Sequence, residues 1–267
     1  MKIGFIGVGN MGGAIIGGMI SSDKYKAEDI SVTDLFKENV KRLISKYGVK
    51  DGESNRKTAK NSDILFLAVK PNVYSEVIEE IKKDIKDDSI VVSIAAGQSI
   101  NSVSELFGRR IKLVRVMPNT PALVGEGMAA VCGNEFVSSA EVEKIIDIFN
   151  CFGSAEIVPE KMMDIVTAVS GSSPAFVYMF IEAMADAAVL GGMPRALAYK
   201  FAAQTVLGSA KMVLDTGTHP GELKDMVCSP GGTTIEAVAE LERLGMRTAV
   251  IEAIRVCENK SKVMGKR

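Results

Sequence analysis

The chain changes its hydrophobic rhythm once, near residue 159. Before that point, short apolar runs alternate with stretches in which apolar positions recur every three or four residues. Runs near 2–7, 30–33, 64–69, 90–94, 112–116, 128–132 and 155–158 read as strands. The stretches near 10–21, 36–47, 72–86, 99–107 and 138–151 read as helices. Ile64-Leu-Phe-Leu-Ala-Val69 and Ile90-Val-Val-Ser-Ile94 are apolar almost throughout, as strands are when a parallel sheet is covered on both faces. Strand and helix in alternation predict an α/β, doubly wound sheet over 1–158, with ligands beyond the carboxyl ends of its strands.

From 159 to 267 only helical periodicity remains, near 160–169, 174–191, 194–215, 220–228, 233–244 and 246–262. Pro174, Pro194 and Pro220 stand where helices can begin, and Gly191-Gly192 and Gly217 where they can stop. This half is predicted as an all-α domain for substrate binding and dimerisation. Its helices at 174–190 and 197–214 are apolar around most of their circumference, which demands cover on all sides. Roughly 110 residues cannot supply that cover for two helices, so a second copy is expected to interleave with the first. Residues 174–193 also approach the length of a membrane span. Glu182 and Asp186, one turn apart near the centre, argue for a buried core helix instead.

Composition narrows the function classes. Apolar residues make up 47% and charged residues 24% of the 267, and the net charge is −1 with no basic block. This is a soluble, cytoplasmic globular protein in expectation, with no membrane and no nucleic-acid partner. The four cysteines form no C-x-x-C pair and there is one histidine, His219, so no metal is expected and the thiols read as free in a reducing compartment. The N-terminal apolar run is glycine-rich in a spacing that suits a nucleotide turn better than a signal peptide.

That spacing is Gly7, Gly9 and Gly12, between the first strand and the first helix. The first glycine permits a tight turn, the second lets a pyrophosphate approach the backbone, and the third lets helix pack on strand. The helix start then aims its free amides at the phosphates. This context marks a Rossmann dinucleotide-binding domain. Asp34 ends the next strand, where a carboxylate accepts from ribose hydroxyls and repels a 2′-phosphate. Asp34 favours NADH, with NADPH the alternative; it also suits the cap of the helix at 36–47. Ala68-Val69-Lys70-Pro71 and Ala95-Ala96-Gly97 end later strands and can line the cofactor cleft, with Asn55 reaching the adenosine side. Met117-Pro-Asn-Thr-Pro121 offers another rigid wall.

Two loops in the helical half carry hydroxyls: Thr167-Ala-Val-Ser-Gly-Ser-Ser-Pro174 and Ser229-Pro-Gly-Gly-Thr-Thr234. In the second, Thr233 or Thr234 is expected to cap the helix at 234–244, and the loop makes a natural carboxylate cradle. A hydroxy-acid dehydrogenase must move a hydroxyl proton as well as a hydride. His219 sits in a Thr-His-Pro-Gly turn suited to the surface. The missing acid–base group favours an imine substrate, since a protonated imine is already electrophilic and needs chiefly positioning. The alternatives are a Rossmann reductase acting on another cyclic imine or a hydroxy or keto acid, and a binding protein that senses the nucleotide.

Asp225-Met-Val-Cys-Ser-Pro-Gly-Gly-Thr-Thr-Ile235, Met117-Pro-Asn-Thr-Pro121, Ala68-Val-Lys-Pro71 and Val169-Ser-Gly-Ser-Ser-Pro-Ala175 together resemble the pyrroline-5-carboxylate reductase family, along essentially the whole chain. The resemblance implies reduction of 1-pyrroline-5-carboxylate to L-proline with NAD(P)H, the last step of proline biosynthesis, in a dimer or ring of dimers. It implies cofactor contacts at Ile6, Gly7, Val8, Gly9, Asn10, Met11, Asn55, Ala68 to Pro71 and Ala95 to Gly97. It implies substrate contacts at Glu160, Thr167, Ser229, Gly232, Thr233 and Thr234, with Thr167 or Thr234 orienting the ring nitrogen and its proton. The chain departs from the family pattern at Asp34, where many relatives carry serine. It also departs at Ser173 and Phe176, where Gly and Tyr are expected.

Overall fold

The structure is a computed structural model that describes residues 1–265. Its strands are β1 (Ile3–Ile6), β2 (Ile30–Thr33), β3 (Lys50–Asp51), β4 (Ile64–Leu67), β5 (Ile90–Ser93), β6 (Lys112–Met117), β7 (Gly127–Gly133) and β8 (Gly153–Ile157). They form one sheet in the order β3-β2-β1-β4-β5-β6-β7-β8. The helices among them are α1 (Asn10–Ser21), α2 (Lys37–Tyr47), α3 (Asn55–Asn61), α4 (Tyr74–Ile81), α5 (Ile100–Phe107) and α6 (Ser139–Phe149). After the sheet come α7 (Met163–Val166), α8 (Pro174–Leu190), α9 (Arg195–Thr216), α10 (Pro220–Val227), α11 (Thr233–Arg243) and α12 (Met246–Met264).

Alternation along the strands builds two cores. Ile3, Phe5, Val32, Phe66, Val92 and Val114 face α1 and α6, and the Phe5 and Phe66 rings stack at 4.5 Å. Leu65, Leu67, Val91 and Leu113 face α4 and α5. Both faces are therefore dry, as the unbroken apolar runs require. The sheet is parallel except at one pair: β7 runs antiparallel to β6. The link between them, residues 118–126, is too short for a parallel crossover, which needs a dozen or more residues. Strand β3 also escapes the apolar pattern, because it is two exposed polar residues paired to Ser31 and Val32. Helix α4 stops at Ile81, short of 86, where the charged stretch that follows closes into turns.

Helix α6 opens with a capping box: Ser138 N–H donates to Glu141 Oε2 at 2.9 Å. Lys112 Nζ donates to Glu141 Oε1 at 2.7 Å. The Lys112 bond, ahead of the Ser138 contacts, pulls the Glu141 carboxyl from its ordinary 4.5 down to about 2. A depressed carboxyl contributes its full stabilisation above its unfolded value and loses it as pH falls toward the folded one. Glu141→Gln should therefore flatten the loss of stability between about pH 4.5 and 2, read by denaturant unfolding across that window. An unchanged acid limb would remove the pair from the acid response.

By contact, the chain divides into Met1–Ser172 together with residues from Cys257 onward, and Ser173–Val256. The change of rhythm at 158/159 and the spatial division are distinct. Met163, Thr167 and Ala168 are buried in the first unit. Ser261 Oγ, near the end of α12, donates to Asp164 Oδ1 at 2.6 Å within that same unit. In the second unit α8 and α9 pack through Ala185, Ala198 and Ala202. One chain does not bury these helices as expected: Met179 is 68% exposed and Leu214 82%, and Ala185 is the buried residue of α8. The residues 160–190 are long and apolar enough to cross a membrane by composition alone. They carry Glu182 and Asp186, the latter paired with Arg195.

Candidate active site

The turn after β1 is built by three glycines for three different reasons. Gly7 sits at φ +90°, and a Cβ there would lie 2.7 Å from the Ala68 carbonyl oxygen. A Cβ at Gly12 would lie 2.7 Å from the Gly7 carbonyl oxygen. A Cβ at Gly9 would meet nothing within 4 Å. The first and third glycines are thus needed by packing, and the second keeps space open. Helix α1 starts with Gly9 as its N-cap and no side chain caps it, which leaves the amides of its first turn unspent. The residues present fit a dinucleotide pyrophosphate here.

Not every amide of the turn is free. Gly7 N–H donates to Thr33 O at 2.8 Å, and Val8 N–H donates to Asp34 Oδ2 at 2.7 Å. The Gly7 and Val8 amides are spent in this way, whereas the Asn10 and Met11 amides, in the first turn of α1, have no intrahelical partner. Asp34 Oδ1 also accepts from Phe36 N–H at 2.8 Å, just ahead of α2. Asp34 therefore clamps the glycine turn to the end of β2 while it keeps a carboxylate there. Beside it, Asn55 Oδ1 accepts from Thr33 Oγ1 at 3.0 Å, and Asn55 Nδ2 donates to Glu80 Oε2 at 2.8 Å.

Strand β1 lies between β2 and β4, so the chain's connections leave it in opposite directions. Ligands of open α/β sheets bind at such a switch point. Ile6 ends β1, and its carbonyl accepts the Ala68 N–H at 2.9 Å, so Ala68 to Pro71 begin beside the glycine turn. Ala95, Ala96 and Gly97 follow the next strand, β5. Tyr74 ties these two strand ends together from beneath: its hydroxyl donates to Leu67 O at 2.7 Å and meets Ser93 Oγ at 3.1 Å. Burial pushes that phenol up to about 12, so it stays a neutral strut. The sequence-proposed cofactor residues thus stand at the adjacent carboxyl ends of β1, β2, β4 and β5, except Asn55, which opens α3 and reaches the end of β2 through Thr33.

The substrate-side residues fall into two groups. In the first unit, Thr167 is 9% exposed and its Oγ1 donates to Met163 O at 2.7 Å. It opens a π-helical stretch, Thr167–Ser172. Glu160 Oε1 accepts from Ile100 N–H at 2.6 Å and from Arg115 Nη1 at 3.1 Å, bracing the start of α5. In the second unit, Ser229, Gly232, Thr233 and Thr234 surround the start of α11. The expected threonine cap is absent: Gly232 is the N-cap, without a side-chain bond, and Thr233 and Thr234 are the first two helical residues. The turn closes through Gly232 N–H to Ser229 O at 3.0 Å, with Gly231 at φ +64°. Neither threonine spends its hydroxyl on capping, so the amides and hydroxyls of this helix start remain available to an anion. His219 caps α10, its Nδ1 accepting from Gly221 N–H at 3.1 Å.

Comparison with known proteins adds the family. Residues 160–264 match the family described as pyrroline-5-carboxylate reductase dimerisation, and residues 2–97 match NADP oxidoreductase coenzyme F420-dependent. The chain is 54% identical over 265 residues to the pyrroline-5-carboxylate reductase of Escherichia coli (strain K12), covering 99% of this chain and 98% of that one. The chain belongs to the pyrroline-5-carboxylate reductase family. Identity to the Methanosarcina acetivorans reductase is 44% over 266 residues, 100% and 98% of the two chains. The crystal structure of the Plasmodium falciparum enzyme with NADP bound superposes with a TM-score of 0.90 at 37% identity, covering 99% and 98%. The fold of this family is thus a nucleotide-binding sheet followed by a helical dimerisation domain, as the sequence predicts.

The sequence did not single out Asn119 or Ser170 for a bond to each other. Asn119 Nδ2 donates to both the carbonyl and the hydroxyl of Ser170, each at 3.2 Å.

Proposed function

We propose that this chain catalyses its family's reaction, reduction of the C=N bond of 1-pyrroline-5-carboxylate to give L-proline, the last step of proline biosynthesis. The observation that carries the assignment of roles is that α1 and α11 both begin at a glycine with no side-chain cap. Each helix start presents unspent amides to an anion. The start of α1, with Ala68 to Pro71 and Ala95 to Gly97, holds the dinucleotide. When bound, the reduced nicotinamide supplies the hydride that the imine carbon accepts. The start of α11, with Ser229, Gly232, Thr233 and Thr234, holds the substrate carboxylate.

Thr167 handles the ring nitrogen. Its own hydrogen is committed to the Met163 carbonyl, so its oxygen has only acceptor capacity left. It suits the N–H of a protonated imine and cannot also donate a proton to a neutral one. The nitrogen keeps its proton through the reaction and leaves as a secondary amine, so the protein need supply no general acid. Glu160 acts from behind, bracing α5. The helical domain self-associates, as a dimer or a ring of dimers, and so covers α8 and α9. The enzyme works in the cytoplasm.

Asp34 sets cofactor choice in favour of NADH, because its carboxylate stands at the end of β2, where a 2′-phosphate would be repelled. Asp34→Asn keeps an acceptor for the Val8 amide and removes the charge. Initial rates with NADH and NADPH should show the ratio of their kcat/KM values moving toward NADPH. An unmoved ratio would leave Asp34 as a clamp on the turn and nothing more.

A further inference from the structure

We infer that Asn119 is a positioning residue for Thr167, holding the nitrogen-binding hydroxyl in place from the loop between β6 and β7. This rests on the role given to Thr167 above. Asn119 is 9% exposed and both ends of its side-chain amide are bonded. Its Oδ1 accepts from Met128 N–H at 2.8 Å, which fixes the amide to the start of β7. Its Nδ2 donates to Ser170, whose carbonyl and hydroxyl oxygens each lie 3.2 Å away.

The reason Ser170 needs this donor lies in the sequence. In an α-helix the Ser170 carbonyl would accept from the amide of residue 174, which is proline and has no N–H. Ser170 is half-buried, and a carbonyl without a donor is costly to the extent that it is shut off from water. Asn119 supplies the missing hydrogen from 51 residues away. The backbone takes up the mismatch by winding Thr167–Ser172 as a π-helix. Such widened turns recur at functional sites.

Other contacts grip the same stretch without replacing that donor. A Cβ at Gly171 would stand 2.5 Å from Met117 Cε, so the Met117 side chain packs directly on the backbone there. Cys257 Sγ lies 3.2 Å from Ser172 Oγ. Thr167 is the first residue of the widened stretch, and Asn119 touches it only through Ser170. Releasing Ser170 lets the turn relax and carries the Thr167 oxygen with it. A misplacement of about 1 Å at a reacting group costs on the order of 100-fold in rate.

The test is a double-mutant cycle on the full-length enzyme, with Asn119→Ala and Thr167→Val singly and together. Three quantities are read: kcat/KM for 1-pyrroline-5-carboxylate, NADH affinity by fluorescence titration, and L-proline binding by calorimetry. Asn119→Ala should lower kcat/KM by roughly 10- to 100-fold and weaken proline binding, with NADH affinity within about twofold of the parent. On the Thr167→Val background the same change should cost less than about threefold, because residues that act through one another are not additive. If Thr167→Val alone keeps parental rates, the role of Thr167 fails, and the inference fails with its premise. If Thr167→Val is slow but Asn119→Ala adds its whole factor on top, Thr167 stands and the inference is overturned. Should Asn119→Ala not fold, Ser170→Ala removes one acceptor and leaves Asn119 in place. It should act in the same direction and lose its effect on the Thr167→Val background; an additive effect, or none, overturns the inference.

Discussion

Gly9→Val is expected to fold as the parent does and to bind NADH and NADPH at least about 100-fold more weakly, about 2.7 kcal/mol. The two halves of that expectation come from one observation. Gly9 has φ −66° and ψ −151°, extended backbone without the positive φ that reserves Gly7 for glycine, and a Cβ there meets no atom of the protein within 4 Å. In the proposed site, the empty space is the approach of the pyrophosphate to the amides of α1. Denaturant unfolding should stay within the roughly 0.5 kcal/mol typical of substitutions that touch nothing. Gly12→Ala is the control with the opposite signature. Its Cβ would meet backbone, the Gly7 carbonyl oxygen at 2.7 Å, so stability is lost along with binding. Unchanged cofactor affinity in a well-folded Gly9→Val enzyme would move the dinucleotide off this turn.

Thr167→Val is expected to lower kcat/KM for the imine about 5- to 150-fold, the effect of leaving a buried donor unpaired at about 1–3 kcal/mol. Valine copies the shape of threonine and removes the oxygen. Two groups lose a partner: the Met163 carbonyl, now bonded at 2.7 Å, and the nitrogen of the bound ring. Thr167→Ser keeps the oxygen and should recover most of the rate. NADH affinity should not move. Parental kcat/KM in Thr167→Val would assign the ring nitrogen to another acceptor, with Thr234 next in line.

The glycine turn was legible in the sequence because each glycine answers to a local demand: the structure shows the turn at Gly7 and the close packing at Gly12, and it leaves the space beside Gly9 open. The strand ends that carry Ala68 to Pro71 and Ala95 to Gly97 were legible for the same reason, since apolar runs stop where the loops begin. Asp34 was only half legible. Its place at the end of β2 follows from the pattern, but its bond to the Val8 amide depends on how two loops 26 residues apart meet. The cap of α11 was displaced by one residue, because Gly-Gly-Thr-Thr offers hydroxyls one step after the position that the backbone uses. The antiparallel turn of β7 lay in a length rather than a pattern: the connection from β6 is too short to cross over. The Asn119–Ser170 bond had one sequence signal, the proline four residues after Ser170, and that signal says a donor is missing without saying which side chain provides it. The exposed faces of α8 and α9 show the reverse case. Their apolar circumference was plain in the sequence, and one chain alone does not satisfy it.

Reduced-cofactor absorbance, followed after adding 1-pyrroline-5-carboxylate to the purified enzyme, with the product identified by chromatography, is the most direct measurement. Oxidation of one cofactor molecule for each L-proline formed, with no turnover of a matched keto acid, is the predicted result. Cofactor that binds yet is not oxidised by the imine in either its NADH or NADPH form, or that is oxidised equally well by the keto acid, would contradict it.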